Sequence, residues 1–125
     1  MNSKGSILLV DDESIVCERL QAALEKVGFE VEAFIESQQA VDRLAQKKFD
    51  VVITDVKMRG PDGLDILHLV RRDSPSTKVV IITGFATVET AKEAMKRGAV
   101  DFIAKPFKIS QLRDLVLKLM EGSDS

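Results

Sequence analysis

The sequence predicts an α/β chain folded as a doubly wound parallel sheet, and three observations carry that prediction. Five short apolar runs recur along the chain, each followed by a segment with helical periodicity. Three of the runs are continuous and β-branched, as strands covered on both faces of a parallel sheet must be. Strict βα alternation, five times over, implies parallel strands joined by right-handed crossovers, with helices on both faces.

The runs are Ile7-Leu8-Leu9-Val10, Glu30-Val31-Glu32-Ala33-Phe34, Val51-Val52-Ile53-Thr54, Val79-Val80-Ile81-Ile82 and Phe102-Ile103-Ala104. The second alternates apolar and acidic residues, the pattern of an edge strand. After the first run, Val16, Leu20, Ala23, Leu24 and Val27 share one helical face, and Gly28 supplies the stop. Ala40, Val41 and Leu44 form a shorter stripe behind Ser37, which reads as an N-cap. Leu64, Ile66, Leu67 and Val70 follow Gly63 and end before Ser74-Pro75. Thr87 to Arg97 is helical by Ala91, Ala94 and Met95 and closes at Gly98. Leu112, Leu115, Val116, Leu119 and Met120 make the last amphipathic helix, before a polar tail at 121–125 expected to fray.

At 125 residues the chain is expected to form one domain, with a core from about 6 to 120 and no internal repeat. Apolar residues make up 45% and charged ones 30%, with both signs interspersed, which excludes a disordered chain. The net charge of -2 argues against direct nucleic-acid or membrane binding. Cys17 is the only cysteine, so no internal disulfide can form. The polar N-terminus and the two aspartates that stop the first run make neither a signal peptide nor a span. A cytoplasmic location is expected.

In such a sheet the strands end at one edge, and ligands bind outside their carboxyl ends at the switch in strand order. The first run is followed by Asp11-Asp12, the third by Asp55, the fourth by Thr83 and the fifth by Lys105. With strand order 2-1-3-4-5, the three acids crowd together, Thr83 stands beside Asp55, and Lys105 starts about 10 Å away at ~4.8 Å per strand. Two like charges 4 Å apart cost roughly 4 kcal/mol at an effective dielectric near 20, so positive charge must compensate. Lys105 and a hard divalent cation are the candidates, and Mg2+ fits best because it uses few carboxylates plus phosphate oxygens. Zinc is not expected, since Cys17 and His68 are placed away from this rim.

A carboxylate in that setting can act as a nucleophile toward a phosphoryl group. Asp55, on the central strand, is the preferred nucleophile, with Asp11 and Asp12 as metal ligands. Lys105 and the Thr83 hydroxyl would meet the phosphoryl oxygens.

The residues Leu9-Val10-Asp11-Asp12-Glu13, Asp55 with Met58 and Asp62-Gly63, Ile82-Thr83-Gly84, and Asp101-Phe102-Ile103-Ala104-Lys105-Pro106-Phe107 occur in this order. The chain thereby resembles the receiver domains of two-component response regulators from Ile7 to about Met120. The resemblance implies a flavodoxin-like (βα)5 fold with order 2-1-3-4-5. It implies Asp55 as phosphoacceptor, and a Mg2+ held by Asp12, Asp11 through water, Asp55 and the backbone carbonyl of Lys57. Thr83 and Lys105 would bind the phosphoryl oxygens, and the Lys105-Pro106 peptide would be cis. Thr83 and Phe102 would form a packing switch that alters the fourth helix, fifth strand and fifth helix. The implied partners are a sensor histidine kinase or histidine phosphotransfer protein, an output domain or effector, and a second copy on phosphorylation. Such a domain is no enzyme beyond catalysing its own phosphorylation and dephosphorylation.

Three positions depart from the family pattern. Arg59 stands where proline often follows the methionine, Phe102 lacks the frequent tyrosine hydroxyl, and Phe85 puts a bulky apolar group beyond Thr83. Plainer readings exist for single residues: Asp11 and Asp12 as helix caps, Thr83 as a strand terminator, Lys105 as a solvated lysine. A receiver-like module that binds partners without phosphorylation is the alternative function. A flavodoxin-like electron carrier is disfavoured because acids follow the first strand where a phosphate loop would be needed. An aspartate-dependent phosphatase would want an acid where Lys57 stands. The stretch Thr83 to Thr90 leans toward receivers attached to ATPase-type transcription activators.

Overall fold

A computed structural model describes residues 3–122. The elements run β1 (Ser6–Val10), α1 (Ser14–Lys26), β2 (Glu30–Phe34), α2 (Ser37–Leu44), β3 (Val51–Asp55), α3 (Gly63–Asp73), β4 (Lys78–Thr83), α4 (Val88–Lys96), β5 (Asp101–Ala104) and α5 (Ile109–Gly122). All five strands pair in parallel in the order β2-β1-β3-β4-β5, as the alternation and the resemblance predicted. β2, the acidic alternating run, lies at one edge. Of the tail expected to fray, Glu121 and Gly122 close α5, and residues 123–125 lie outside the described residues.

The central strands read as unbroken apolar runs because each face of the sheet has its own core. Ile7, Leu9, Val51, Ile53, Val80 and Ile82 point to the face covered by α1 and α5, where they meet Leu20, Leu24, Leu112 and Val116. The alternate residues Leu8, Val10, Val52, Val79 and Ile81 meet Ala40, Ile66, Leu67, Val70 and Ala94 from α2, α3 and α4. A strand's period of two therefore shows no polar gap when both faces are buried. α4 is the lightly anchored helix: Ala94 is its buried residue, while Val88 and Met95 are exposed.

Side chains cap α3 and α4 but not α1 or α2. Asp62 caps α3 in a reciprocal capping box with Asp65, and the Thr87 side chain accepts the Thr90 amide at the start of α4. Ser37 is not the N-cap of α2; that position is Glu36, and the Ser37 hydroxyl donates to the carbonyl of Arg59 at 2.6 Å instead. Ser37 is already the first residue of α2, one position inside the cap, and its hydroxyl acts as a donor to the loop rather than as an acceptor for the helix's first turn.

Gly63 sits where α3 backs onto the end of β3. A methyl group there would lie 2.2 Å from the backbone oxygen of Asp55, whereas one at Gly84 would meet nothing within 4 Å. Gly63→Ala is therefore expected to cost about 1–3 kcal/mol in chemical denaturation. Gly84→Ala should stay within about 0.5 kcal/mol of the parent. Equal costs for the two would show that the close approach at Gly63 is not what restricts the position.

Candidate functional site

The strand register delivers the polar residues to one edge. Val10 pairs with Thr54, Asp55 with Ile82, and Thr83 with Ala104, so the residues at or just beyond these pairs converge. Asp11 follows β1, Asp55 and Thr83 end β3 and β4, and Lys105 follows β5. Asp11, Asp55 and Thr83 are buried, Asp12 is exposed, and Lys105 is half-buried.

Lys105 crosses two strands to reach the acids. Its Nζ lies 2.8 Å from Asp55 Oδ2, 2.7 Å from Asp11 Oδ2 and 2.6 Å from a carboxylate oxygen of Glu13. Burial works against the ammonium, but contacts with Asp11, Asp55 and Glu13 outweigh it and hold Lys105 above the ordinary lysine range. Asp11 is raised as well: burial lifts its carboxyl above the usual aspartate value, against the pull of Lys105 and of the Glu13 amide. The Lys105-Pro106 peptide is cis, as the resemblance implied.

Glu13 is the contact that sequence reasoning passed over. Its place in the acidic run Asp11-Asp12-Glu13 was the available signal, but only the start of α1 at Ser14 turns its carboxylate back toward Lys105.

Asp11, Asp12 and Asp55 each offer a carboxylate oxygen within 4.8 Å of the others, a grouping able to hold a metal ion. One atom tests the fit. Asp11 Oδ2 is buried without a hydrogen-bond partner; Lys105 Nζ is close to it but out of line for a hydrogen bond. A buried anionic oxygen that accepts no hydrogen bond costs free energy even with an ammonium nearby, and a cation held between the three acids would relieve it. An all-oxygen donor set suits a hard divalent ion. The residues present fit one.

Cys17 corrects one expectation. It was placed away from the rim, yet its Sγ donates to the carbonyl of Asp11 at 3.3 Å and faces that of Phe34 at 3.6 Å. α1 begins so soon after the acid pair that its first inward position falls beneath Asp11. Burial, reinforced by the Asp11 charge, pushes the thiol up to about 11, so no thiolate ligand is available at neutral pH. His68 is exposed on α3.

The remaining predicted residues divide. The Thr83 hydroxyl accepts the Phe85 amide at 3.0 Å, and the Lys57 amide donates to Asp55 Oδ1 at 3.3 Å. A cleft of about 660 Å³ opens over Asp55 and Lys105, with Asp12, Lys57 and Phe85 among its walls. The Lys57 ammonium lies 6.0 Å from the centroid of the Phe85 ring across it. Phe102 is not in this cleft; it stands opposite Ile81, half-buried against the core of the α4 face, and lines a hollow beside α5.

The profile of the response regulator receiver domain family matches residues 7–117. The chain is 36% identical over 116 residues to the transcriptional regulatory protein FixJ of Bradyrhizobium diazoefficiens, covering 93% of this chain and 57% of FixJ. It is 38% identical over 118 residues to the alginate biosynthesis transcriptional regulatory protein AlgB of Pseudomonas aeruginosa, covering 94% of this chain and 26% of AlgB. The solved structure of a response regulator receiver domain protein from Clostridium thermocellum superposes with a TM-score of 0.86 at 31% identity, over 95% of this chain and 96% of that one. The chain thus spans only part of the length of the two regulators it matches.

Because the Cys17 thiol is buried and its ionisation suppressed, a thiol-alkylating reagent at pH 8 should label the native protein far more slowly than the urea-unfolded chain. Mass spectrometry would follow the reaction. Equal labelling rates would show that the thiol is open to solvent.

Proposed function

Since the chain belongs to the response regulator receiver domain family, we propose that it accepts a phosphoryl group on Asp55 from a phosphohistidine of a sensor kinase or histidine phosphotransfer protein. The observation that carries this reading is Lys105, whose ammonium reaches Asp55 from a strand two places away and Asp11 from one three places away. No core requirement explains so long a reach into a buried acid cluster; a site for a doubly charged oxyanion does.

In the transfer, an Asp55 carboxylate oxygen forms a bond to phosphorus as the donor's N–P bond breaks. The electron pair stays on the donor imidazole, which enters protonated on its other nitrogen and leaves neutral. Lys105 would exchange carboxylate contacts for a phosphoryl oxygen, and Thr83 would donate its hydroxyl to another. Asp11, Asp12, Asp55 and the Lys57 carbonyl would hold a Mg2+ ion. When bound, Mg2+ supplies the positive charge that offsets the three acids and the incoming phosphoryl oxygens.

The response would pass from Thr83 to Phe102, whose phenyl ring allows only a packing change and no phenolic hydrogen bond. The surface so altered is α4, β5 and α5, where Val88, Met95 and Val100 expose apolar side chains that an output domain, an effector or a second copy could cover. By likeness to FixJ and AlgB, whose names state transcriptional regulation, the output would be control of transcription. The domain is outside the classical enzyme families and acts only on its own acceptor. Among the described residues no helix is long and apolar enough to cross a membrane, and partnership with a kinase's phosphohistidine suits the cytoplasm.

Incubation with acetyl phosphate and Mg2+ should add about 80 Da to the intact mass. Asp55→Ala or chelation of the metal should abolish the gain. A wild-type mass that does not change would favour the alternative, a module that binds its partners without phosphorylation.

Phe85 lines the cleft over Asp55 and is expected to hinder attack by water on the phosphorylated form. Phe85→Glu should therefore raise the dephosphorylation rate by about a factor of ten, equivalent to about 1.4 kcal/mol of barrier. A slower loss of the phosphoryl group in the variant would refute the shielding role.

A further inference from the structure

We infer that Ser37, on a helix remote in sequence from the acceptor, is a positioning residue that holds the loop after Asp55 in the conformation needed to bind the divalent cation. The inference rests on the functional reading above. Its starting point is the 2.6 Å hydrogen bond from the Ser37 hydroxyl to the carbonyl of Arg59, made by a side chain only 3% exposed.

The loop between β3 and α3 is held at several points. The Lys57 amide reaches Asp55 Oδ1, the Gly63 amide donates to the Val56 carbonyl at 2.9 Å, and the Asp62 capping box closes the far end. All of these join the loop to itself or to its own flanks. Ser37 alone, among the hydrogen bonds described, ties the middle of the loop to another element, α2.

The position tied is the one where that tie matters. Arg59 has a freely rotating backbone where a proline would have a fixed one, so its segment has more conformations to lose on ordering. A hydrogen bond from a rigid helix restricts those conformations without a ring. Two residues before Arg59 stands Lys57, whose carbonyl is assigned to the cation, and a carbonyl ligand acts only if its peptide plane is held. The hollow between α2 and the loop, bordered by Asp12, Ser37, Met58 and Arg59, places this tie beside the exposed member of the acid trio.

Ser37→Ala and Ser37→Gly both remove the hydroxyl, and Ser37→Thr keeps it. Titration of each folded, metal-free protein with Mg2+, followed by NMR shifts of the loop amides, should show binding about fivefold weaker without the hydroxyl, the effect of one hydrogen bond of ordinary strength. Ser37→Thr should stay near the parent. Without metal, amide hydrogen exchange across residues 57–60 should quicken in the Ala and Gly variants while α1 and α5 keep their protection. At saturating Mg2+ the extent of phosphorylation should recover, which separates a positioning role from general damage to the fold.

Parent-like Mg2+ affinity and parent-like exchange in both hydroxyl-free variants would overturn the inference. So would an affinity loss in Ser37→Thr equal to that in Ser37→Ala. Failure of the wild type to gain phosphoryl mass would instead overturn the functional reading, and it would leave the exchange and titration results to judge Ser37 by themselves.

Discussion

The structure depends on a balance of charge at the carboxyl edge of its sheet. Parallel pairing of β1 with β3 brings Asp11, Asp12 and Asp55 within one ion's reach, which three carboxylates would not tolerate unassisted. Lys105 supplies the compensation available within the chain. Its stem is long enough to start beyond β5 and end among the acids, and its ammonium stays protonated against the cost of burial because three carboxylates surround it. The balance is incomplete: Asp11 Oδ2 stays buried and accepts no hydrogen bond, although the Lys105 ammonium lies 2.7 Å away. A site that is fully satisfied would have nothing to offer a ligand, and this one retains a deficit that positive charge can fill.

Around that balance the fold divides into rigid and adjustable parts. The sheet and its two apolar cores fix where each strand ends, and Asp11, Asp55 and Lys105 stand at those ends or one residue beyond them. The loops carry the remaining groups, and each is tied by a hydrogen bond: Lys57 to Asp55 and Phe85 to Thr83 locally, Arg59 to Ser37 across to α2. α4 is tied least, with Ala94 as its buried anchor. A helix that contributes little to the core can shift at small energetic cost. That lies behind assigning the response to the face it shares with β5 and α5.

Much of the plan was legible in the sequence. Two-faced burial made the central strands continuous apolar runs, and the alternation of elements allowed few topologies, so a parallel sheet with Asp11, Asp55, Thr83 and Lys105 at one edge could be read from the sequence, with the strand order supplied by the family resemblance. Local chemistry was legible where partners are neighbours in the chain, as at Asp62 with Asp65 or Thr87 with Thr90. Ser37 shows where that reading fails. A hydroxyl before a helical stripe has the pattern of a cap, but the helix starts one residue earlier and the hydroxyl donates to a carbonyl twenty-two residues away.

By itself, then, the sequence determined which residues would stand at the carboxyl edge of the sheet, because strand direction and periodicity are properties of consecutive residues. Tertiary structure alone decided which of them touch. Lys105 divides its charge among Asp11, Asp55 and Glu13, Cys17 lies beneath Asp11, and Phe102 stays outside the cleft. Those outcomes turn on ångström differences in the separation of groups far apart in the chain. Hydrogen bonding and close-range charge pairing vary steeply over such distances, and only the packed arrangement of helices on the sheet sets them.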